Sequence, residues 1–291
     1  GCNVYAGHWL YKAGTQLSRG TNRSATTVYV DDPSRIIVDE YAVIYDGDFN
    51  RAEHVRIVSK VGNAITIERG YKSTASWHPT GSVMAVHVRG QAGDKRNWSY
   101  NRSNLCPTDA NVETYNSYVA KWVADNYMKD DKGRTVPDIK VEGVAYDIDF
   151  RYSFRSKGAD INNDLITDYG FLGGRNRWNE GMEELYKLTS EQLPNMYILG
   201  GIVASSGEGT NNGVQLEGWP TASNSMQSAT PDYGRLDYHI SHYMLRMREH
   251  IAPQHFHCLQ KTPTKEYPEG TGINTNATFR LAFGTCLLGN G

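Results

Sequence analysis

The segment Val141-Glu-Gly-Val-Ala-Tyr-Asp-Ile-Asp149 is an apolar run that reads as a buried strand and ends in acidic side chains. A second such segment, Gly213-Val-Gln-Leu-Glu-Gly-Trp-Pro220, ends its apolar part at Glu217. An ionised acid that is buried without a partner costs several kcal/mol, so a core strand rarely stops at one. We therefore predict a site built from Asp147, Asp149 and Glu217.

Alternating helical and strand-like segments surround these two strands. Helical periodicity covers residues 109–128, 178–193 and 233–250, and strand-like runs cover 196–203 and 254–260. Such alternation predicts a parallel sheet with helices outside it. In a barrel of parallel strands, the carboxyl ends converge on one open face, where reactive groups collect. The predicted fold class is α/β, a (β/α) barrel formed by residues 1–14 and 91–291, whose first strand is residues 3–9.

Residues 15–90 have a different character. Short β-type runs lie at residues 26–30, 41–45, 54–59, 64–68 and 82–88, and several of them alternate apolar with polar side chains. This alternation is typical of half-buried antiparallel strands. The segment Val61-Gly-Asn-Ala64 is a tight-turn signal between two of the runs. We predict a small all-β module, a barrel or a sandwich, inserted after the first barrel strand.

Composition and short motifs exclude several classes of protein. The chain has 291 residues, of which 39% are hydrophobic and 21% charged, which is typical of a globular protein. The net charge of -2, without a long basic run, makes nucleic acid and anionic membranes poor partners. Membrane insertion is not expected, because no apolar stretch reaches roughly 20 residues. No zinc spacing, phosphate loop, or serine-hydrolase or dinucleotide fingerprint occurs. An oxidising compartment would allow a Cys2–Cys106 disulfide.

One loop has the oxygen spacing of a calcium site. Asp160, Asn162, Asp164 and Asp168 stand at relative positions 1, 3, 5 and 9, and the backbone carbonyl of Ile166 falls at position 7. This is the pattern of EF-hand-type loops, although the turn glycine and the final glutamate of those loops are missing. We predict a structural calcium ion that braces the loop. The alternative is a turn whose Asp and Asn side chains bond their own backbone.

Hydrolysis of a glycosidic bond requires two carboxyl groups. One protonates the leaving oxygen, and the other attacks the anomeric carbon or activates water. Asp147 and Asp149 point the same way if their strand continues, and Glu217 comes from a different strand and can face them across a cleft. The alternative is that these acids form structural salt bridges with Arg151, Arg155 or Lys261.

Further residues at the ends of strands are candidates for binding substrate. Trp219 directly follows the second acidic segment and could stack on a sugar ring. Gln260 and Lys261 lie at the far end of the strand predicted at 254–260, and His8 and Trp9 end the first strand. These five residues are candidates for lining one mouth; the alternative for Gln260 and Lys261 is that they only complete their strand. The pair His255 and His257 lacks a third ligand, so no transition metal is predicted.

The sequence resembles a family of bacterial glycoside hydrolases, many of them hypothetical proteins. The resemblance is carried by Ala42–Tyr45, Ala52–Ile57, Ile67–Tyr71, Gly143–Asp149, Asp160–Asp168, Leu216–Pro220 and Ala282–Gly291, and it extends over nearly the whole chain. It implies a (β/α)8 barrel with a β-rich insertion near the amino terminus. It also implies that Asp147 or Asp149 and Glu217 are the acidic pair. Further barrel elements are expected after Gly291, so the barrel in this chain would be incomplete.

The leading hypothesis is an extracellular or cell-surface hydrolase that cleaves a polysaccharide, with Glu217 as the general acid/base, Asp147 as the nucleophile and Asp149 in support. The alternative is a non-catalytic surface or fibre protein, for example virion-associated, which keeps the fold for carbohydrate binding or self-assembly. Fold alone does not decide between them.

Overall fold

The computed structural model describes residues 5–90, 96–129, 133–134, 142–146, 158–200, 209–217 and 255–259, and it describes residues 214–217 and 255–259 through their backbone. The chain divides into two compact units. Unit 1 comprises Gly1–Val119 and Tyr152–Gly181, and unit 2 comprises Ala120–Arg151 and Met182–Gly291. The domain boundaries predicted at residues 14 and 90 stay predictions.

Most of the described elements are short strands. In chain order the strands are β1 (Tyr11–Lys12), β2 (Thr15–Gln16), β3 (Thr27–Tyr29), β4 (Tyr41–Tyr45), β5 (Glu53–Val61), β6 (Ala64–Glu68), β7 (Val83–Val86), β8 (Gly143–Ala145), β9 (Ala159–Asp160), β10 (Phe171–Leu172), β11 (Arg175–Asn176), β12 (Tyr197–Gly200), β13 (Gly213–Glu217) and β14 (His255–Leu259). The α-helices in the described residues are α1 (Tyr115–Asn126) and α2 (Arg177–Gln192). Short 3₁₀ helices cover Ala6–His8, Pro33–Arg35 and Phe49–Arg51.

The main element of unit 1 is a curled, six-stranded antiparallel sheet with the strand order β2-β7-β4-β5-β6-β3. Its two edges meet where Leu17, just after β2, forms an antiparallel bridge with Val30, just after β3. Alternate residues of the strands point to the enclosed side, as in small barrels. They bury an aliphatic core of Leu17, Val28, Val30, Ile36, Ala42, Ile44, Val55, Ile57, Ile65, Ile67, Met84 and Val86.

The opposite face of this sheet is also covered around β4 and β7. Val43, Tyr45 and Ala85 pack there with Tyr11 and Phe49. The rings of Tyr45 and Phe49 stack with their centroids 4.2 Å apart. Strand β4 is therefore buried on both faces, which explains why it reads as a continuous apolar run rather than as a strict alternation.

The predicted (β/α) barrel is wrong. A (β/α)8 barrel requires eight parallel strands, each followed by a helix, whereas the described residues are mostly β-sheet, hold two α-helices, and have an antiparallel sheet as their largest element. The physical reason lies in the connections. In the segments predicted to form the barrel, β1 pairs antiparallel with β9, and β10 and β11 are joined by the two-residue turn Gly173-Gly174. Such a turn makes neighbouring strands antiparallel, while parallel neighbours need a long crossover.

Several local predictions are confirmed and one is wrong. Strands β3 to β7 lie within or close to the five β-type runs that alternation predicts, and α2 covers nearly the helix predicted at 178–193. The strand predicted at residues 3–9 is not found in the described part of that segment, which forms a 3₁₀ helix at Ala6–His8. The helix predicted at 233–250 lies outside the described residues.

Unit 2 contains a four-stranded parallel sheet with the strand order β14-β13-β12-β8. Strand β12 pairs in parallel with β8 on one side and with β13 on the other, and β13 pairs with β14 over five residues. The part of α2 within unit 2 buries Met182, Leu185, Tyr186 and Thr189. Because all four strands are parallel, their carboxyl ends face the same edge of the sheet.

Candidate functional site

The carboxyl ends of β8, β12, β13 and β14 form one edge of the parallel sheet, at Ala145, Gly200, Glu217 and Leu259. We call it the carboxyl edge. In open α/β sheets, ligands bind in the crevice outside this edge, because the loops that follow the strands gather there. Glu217 is itself the last residue of β13. The carboxyl edge is therefore the candidate functional site.

Strand register sets the position of the Glu217 backbone at this edge. Ala145 lies opposite Leu199, which lies opposite Gly213 on the next strand. Glu217 is four residues beyond Gly213, so its Cα lies roughly 13 Å past the level of Ala145. Strand β12 separates β8 from β13, which places the two strands about 10 Å apart. Pairing of Glu217 with Leu259 of β14 fixes the backbone of the acid within the sheet.

The residue that follows β8 is tightly held. The Tyr146 N–H donates to the carbonyl of Leu199 at 3.0 Å, which extends the pairing with β12. The Tyr146 hydroxyl lies 2.6 Å from Oγ1 of Thr189, and that hydroxyl donates to the carbonyl of Leu185. Both side chains are buried. The chain is therefore anchored to α2 at the residue directly before Asp147.

Most of the acids and substrate contacts predicted from sequence lie outside the described residues. These are Asp147, Asp149, Trp219, Gln260 and Lys261. Glu217 is described through its backbone alone. The structure thus describes the strand ends that precede or contain the predicted acids, and the roles of the acids stay predictions.

His8 and Trp9 are described, and both take part in packing within unit 1. The ring of His8 is buried, and its Nε2 donates to the carbonyl of Glu113 at 2.8 Å. Burial lowers the pKa of His8, against the opposing effect of that hydrogen bond. The ring of Trp9 stacks on Tyr100 with centroids 4.3 Å apart. These contacts account for both side chains without a substrate.

The loop predicted to bind calcium closes on itself through hydrogen bonds. Asp160 accepts from the N–H groups of Asp164 and Leu165, at 3.2 and 2.8 Å. Asp168 accepts from the N–H groups of Ile161 and Gly170, at 3.0 and 2.9 Å. Two further contacts tie Asp164 Oδ1 to the N–H of Ile166 and Asp164 Oδ2 to Nδ2 of Asn162. This network matches the alternative of a turn held by Asp and Asn side chains.

Electrostatics around Asp160 do not by themselves require a cation. Burial raises the pKa of Asp160 to about 6, and the nearby carboxylates of Asp164 and Asp168 add to the rise. Oδ1 of Asn162 is shielded from solvent and has no hydrogen-bond partner in the described part of the chain, which suits a cation ligand. However, the described residues hold no group of three or more His, Cys, Asp or Glu side chains placed to bind a metal. Calcium binding by this loop stays a prediction.

Sequence reasoning missed a buried ionic cluster in unit 1. Glu53 is 0% exposed and lies on the same side of β5 as the core residues Val55 and Ile57. Its carboxylate accepts from Nε and Nη2 of Arg69 and from Nε2 of His78, at 3.0, 2.5 and 3.2 Å. Burial alone would raise the pKa of Glu53, but these hydrogen bonds outweigh burial and hold the pKa at about 2. Glu53 directly precedes the run predicted at 54–59 and is in phase with its apolar residues Val55 and Ile57, which was the signal that could have found it.

A pair of neutral histidines lies on the other face of the same sheet. His54 Nδ1 and His87 Nε2 are 2.9 Å apart, and both rings are buried. The ring of Trp98 stacks on His87 with centroids 3.6 Å apart. Burial lowers the pKa of His54 to about 4 and lowers that of His87 well below its usual value.

Acidification should therefore weaken unit 1 through these histidines. Their folded pKa values lie below the unfolded value of about 6.5, so their contribution is complete above that pH and is lost as the pH falls towards 4. Asp160 acts in the opposite direction, because its raised pKa favours the folded state at low pH. We expect the double replacement of His54 and His87 by Phe to reduce the loss of melting temperature between pH 7 and pH 4. An equal loss of melting temperature in the wild type and in the double variant would show that the two histidines do not cause the weakening at low pH.

Comparison with known proteins gives no further guide to the site. No protein family and no curated protein sequence matches the chain. Within the part of the chain that the structure describes, no helix is both long enough and apolar enough to cross a membrane. Function must therefore be argued from the carboxyl edge and from the chemistry of the residues around it.

Proposed function

We propose that the protein is a glycoside hydrolase that cleaves a polysaccharide at the carboxyl edge. One observation carries the proposal: β8, β12, β13 and β14 are parallel, so the ends of β8 and β13 share one edge of one sheet. Glu217 ends β13, and Asp147 and Asp149 follow the end of β8 within four residues of Ala145. This arrangement supports pairing two acids that are 70 residues apart in the chain.

The chemistry divides between the two acids. Glu217 donates a proton to the glycosidic oxygen while the bond to the anomeric carbon breaks, and Asp147 forms a bond to that carbon. Glu217, now a carboxylate, removes a proton from water, which displaces Asp147 and releases the sugar. Asp149 supports Asp147 as a neighbouring hydrogen-bonding or ion-binding group, and a direct hydrogen bond between the two carboxyl groups requires that Asp149 be protonated. A carboxyl separation of about 5–5.5 Å corresponds to this retaining route, and about 6.5–9.5 Å corresponds to inversion with water in place of the covalent bond.

The experiment is hydrolysis of a polysaccharide panel by the wild type and by Glu217→Gln. Loss of the general acid should lower kcat by about 100-fold or more. The matched control is Glu191→Gln, which alters an exposed acid on α2 of the same unit and should leave kcat unchanged. Circular dichroism checks that both variants fold.

Two results would overturn the proposal. One is wild-type activity that survives in Glu217→Gln, and the other is an absence of wild-type hydrolysis on every member of the panel. Binding of a polysaccharide without hydrolysis would favour the non-catalytic surface or fibre protein. A polysaccharide substrate also fits action outside the cell.

A further inference from the structure

Two neighbouring loops of unit 1, residues 21–26 and 70–78, hold an exposed tryptophan. We call them the double loop. The side chain of Trp77 is 56% exposed. Tryptophan is usually well buried, and exposed aromatic side chains are concentrated at binding surfaces. The residues on either side of Trp77, Ser76 and His78, are both fixed by contacts to the sheet, so the exposure is not that of a free chain end.

Glu53 and Arg69 tie the second loop to the sheet. Oε1 of Glu53 accepts from the N–H of Gly70, and Oε2 accepts from the N–H of Ser76, each at 3.1 Å. Arg69 donates to the carbonyl of Ser76. Oγ of Ser73 accepts from the backbone N–H of His54 at 2.9 Å. One buried carboxylate thus holds both ends of the segment that presents Trp77.

Arg69 and His78 bring the first loop alongside the second. Nη1 of Arg69 donates to the carbonyls of Asn22 and Ala25. The backbones of Thr21 and His78 exchange two hydrogen bonds, at 2.8 and 3.0 Å. The two loops are therefore one preformed surface, and little conformational entropy would be lost when a ligand binds to it.

The double loop is polar and has a single exposed aromatic ring, that of Trp77. It contains the cationic side chains of Arg23 and Lys72, several hydroxyl side chains and the amide of Asn22, but no Asp or Glu. Nζ of Lys72 lies 5.7 Å from the centroid of the Tyr71 ring. The nearest acid along the chain, Glu68, is paired with Arg56 at 3.4 Å. Serine and lysine are depleted at protein–protein interfaces, whereas the double loop contains Lys72 and several serines. One flat apolar ring among hydrogen-bonding groups and cations fits a sugar ring that carries an anionic group.

We propose that the double loop is a binding site for acidic polysaccharide, separate from the carboxyl edge. The apolar face of a uronic acid ring stacks on Trp77, its hydroxyls bond to the polar side chains of the loops, and its carboxylate pairs with Arg23 and Lys72. Stacking supplies affinity and the two cations supply the preference for an acidic chain. This site does not depend on the proposed hydrolase activity.

The test measures binding of polygalacturonate, alginate and hyaluronate by calorimetry, in the Glu217→Gln background so that hydrolysis cannot consume the ligand. We expect at least one polymer to bind with a Kd below about 1 mM. Trp77→Ala should weaken that binding at least about 10-fold. The matched control is Trp122→Ala, which removes a similarly exposed ring, 50% exposed on α1, and should leave Kd within about twofold.

A charge variant separates stacking from ion pairing. The double variant Arg23→Gln/Lys72→Gln should bind the acidic polymer less tightly and should lose most of the dependence of Kd on salt. Equal binding by wild type and Trp77→Ala would overturn the proposal, as would no binding of any of the three polymers. If the protein hydrolyses no polysaccharide, the proposed binding site at the double loop is unaffected, because binding is measured directly.

Discussion

Gly181→Ala should destabilise the protein by about 3 kcal/mol or more, although alanine is normally the better helix residue by about 1 kcal/mol. Gly181 lies inside α2, at a position where a Cβ atom would come 1.9 Å from the carbonyl oxygen of Arg102 and 2.6 Å from the carbonyl carbon of Ser103. Both are backbone atoms, so no side-chain rotation can relieve the clash. Helix α2 and the segment 102–104 must separate to admit one methyl group.

The surrounding contacts resist that separation. Nδ2 of the fully buried Asn116 donates to the carbonyls of both Arg102 and Gly181, at 2.9 and 2.8 Å. The side chain of Asn104 donates to Glu180 at 2.7 Å, and the backbone N–H of Asn104 donates to the carbonyl of Arg177. Moving the segment away from α2 would break several of these bonds. Overpacking of a well-packed interior commonly costs about 1–3 kcal/mol, and lost buried bonds add to that.

Urea denaturation followed by far-UV circular dichroism measures the effect. The control is Gly20→Ala, whose Cβ would lie 3.3 Å from the nearest atom, the carbonyl oxygen of His78. This substitution should change the free energy of unfolding by under about 1 kcal/mol. If Gly181→Ala unfolds at the same urea concentration as the wild type, the close approach of α2 to residues 102–104 is wrong.

The burial pattern along individual strands was predicted from the sequence more accurately than the pairing between strands. Alternation located β6, because period-two burial is a local property of the chain. The barrel prediction failed because an alternation of helical and strand-like segments along the chain does not determine which strands become neighbours in a sheet. Strand β1 pairs antiparallel with β9, more than 140 residues later, and only tertiary structure brings the two together.

The predictions of acidic residues show the same difference between local and non-local features. Glu217 was predicted as a site residue because its apolar strand stops at an acid; the strand does end at Glu217, and the role of the acid stays a prediction. Glu53 was not identified, because its partners Arg69 and His78 are 16 and 25 residues away. Non-local ion pairing leaves no spacing signal. An acid within an apolar run therefore has two explanations, a reactive strand end or a buried ion pair, and sequence alone does not separate them.

Glu53→Gln should lower the free energy of unfolding by about 3–5 kcal/mol, the range found when one partner of a buried ion pair is removed. The change keeps the shape of the side chain but removes its charge. Arg69, whose side chain is 7% exposed, would then hold a positive charge without a buried counterion. One amide oxygen cannot replace the two carboxylate oxygens that accept from Gly70 and Ser76.

The matched control is Glu68→Gln on the adjacent strand β6. It removes the exposed carboxylate partner of Arg56 and should lower the free energy of unfolding by under about 1 kcal/mol.

The pH dependence of stability gives a second readout. The folded pKa of Glu53 is held at about 2, below its ordinary value of 4.5, so its contribution is present above pH 4.5 and is lost as the pH falls towards 2. The difference in stability between wild type and Glu53→Gln should therefore shrink over that interval. A constant difference between pH 5 and pH 2, or a cost no greater than that of Glu68→Gln, would show that Glu53 does not carry the buried charge that fixes the double loop.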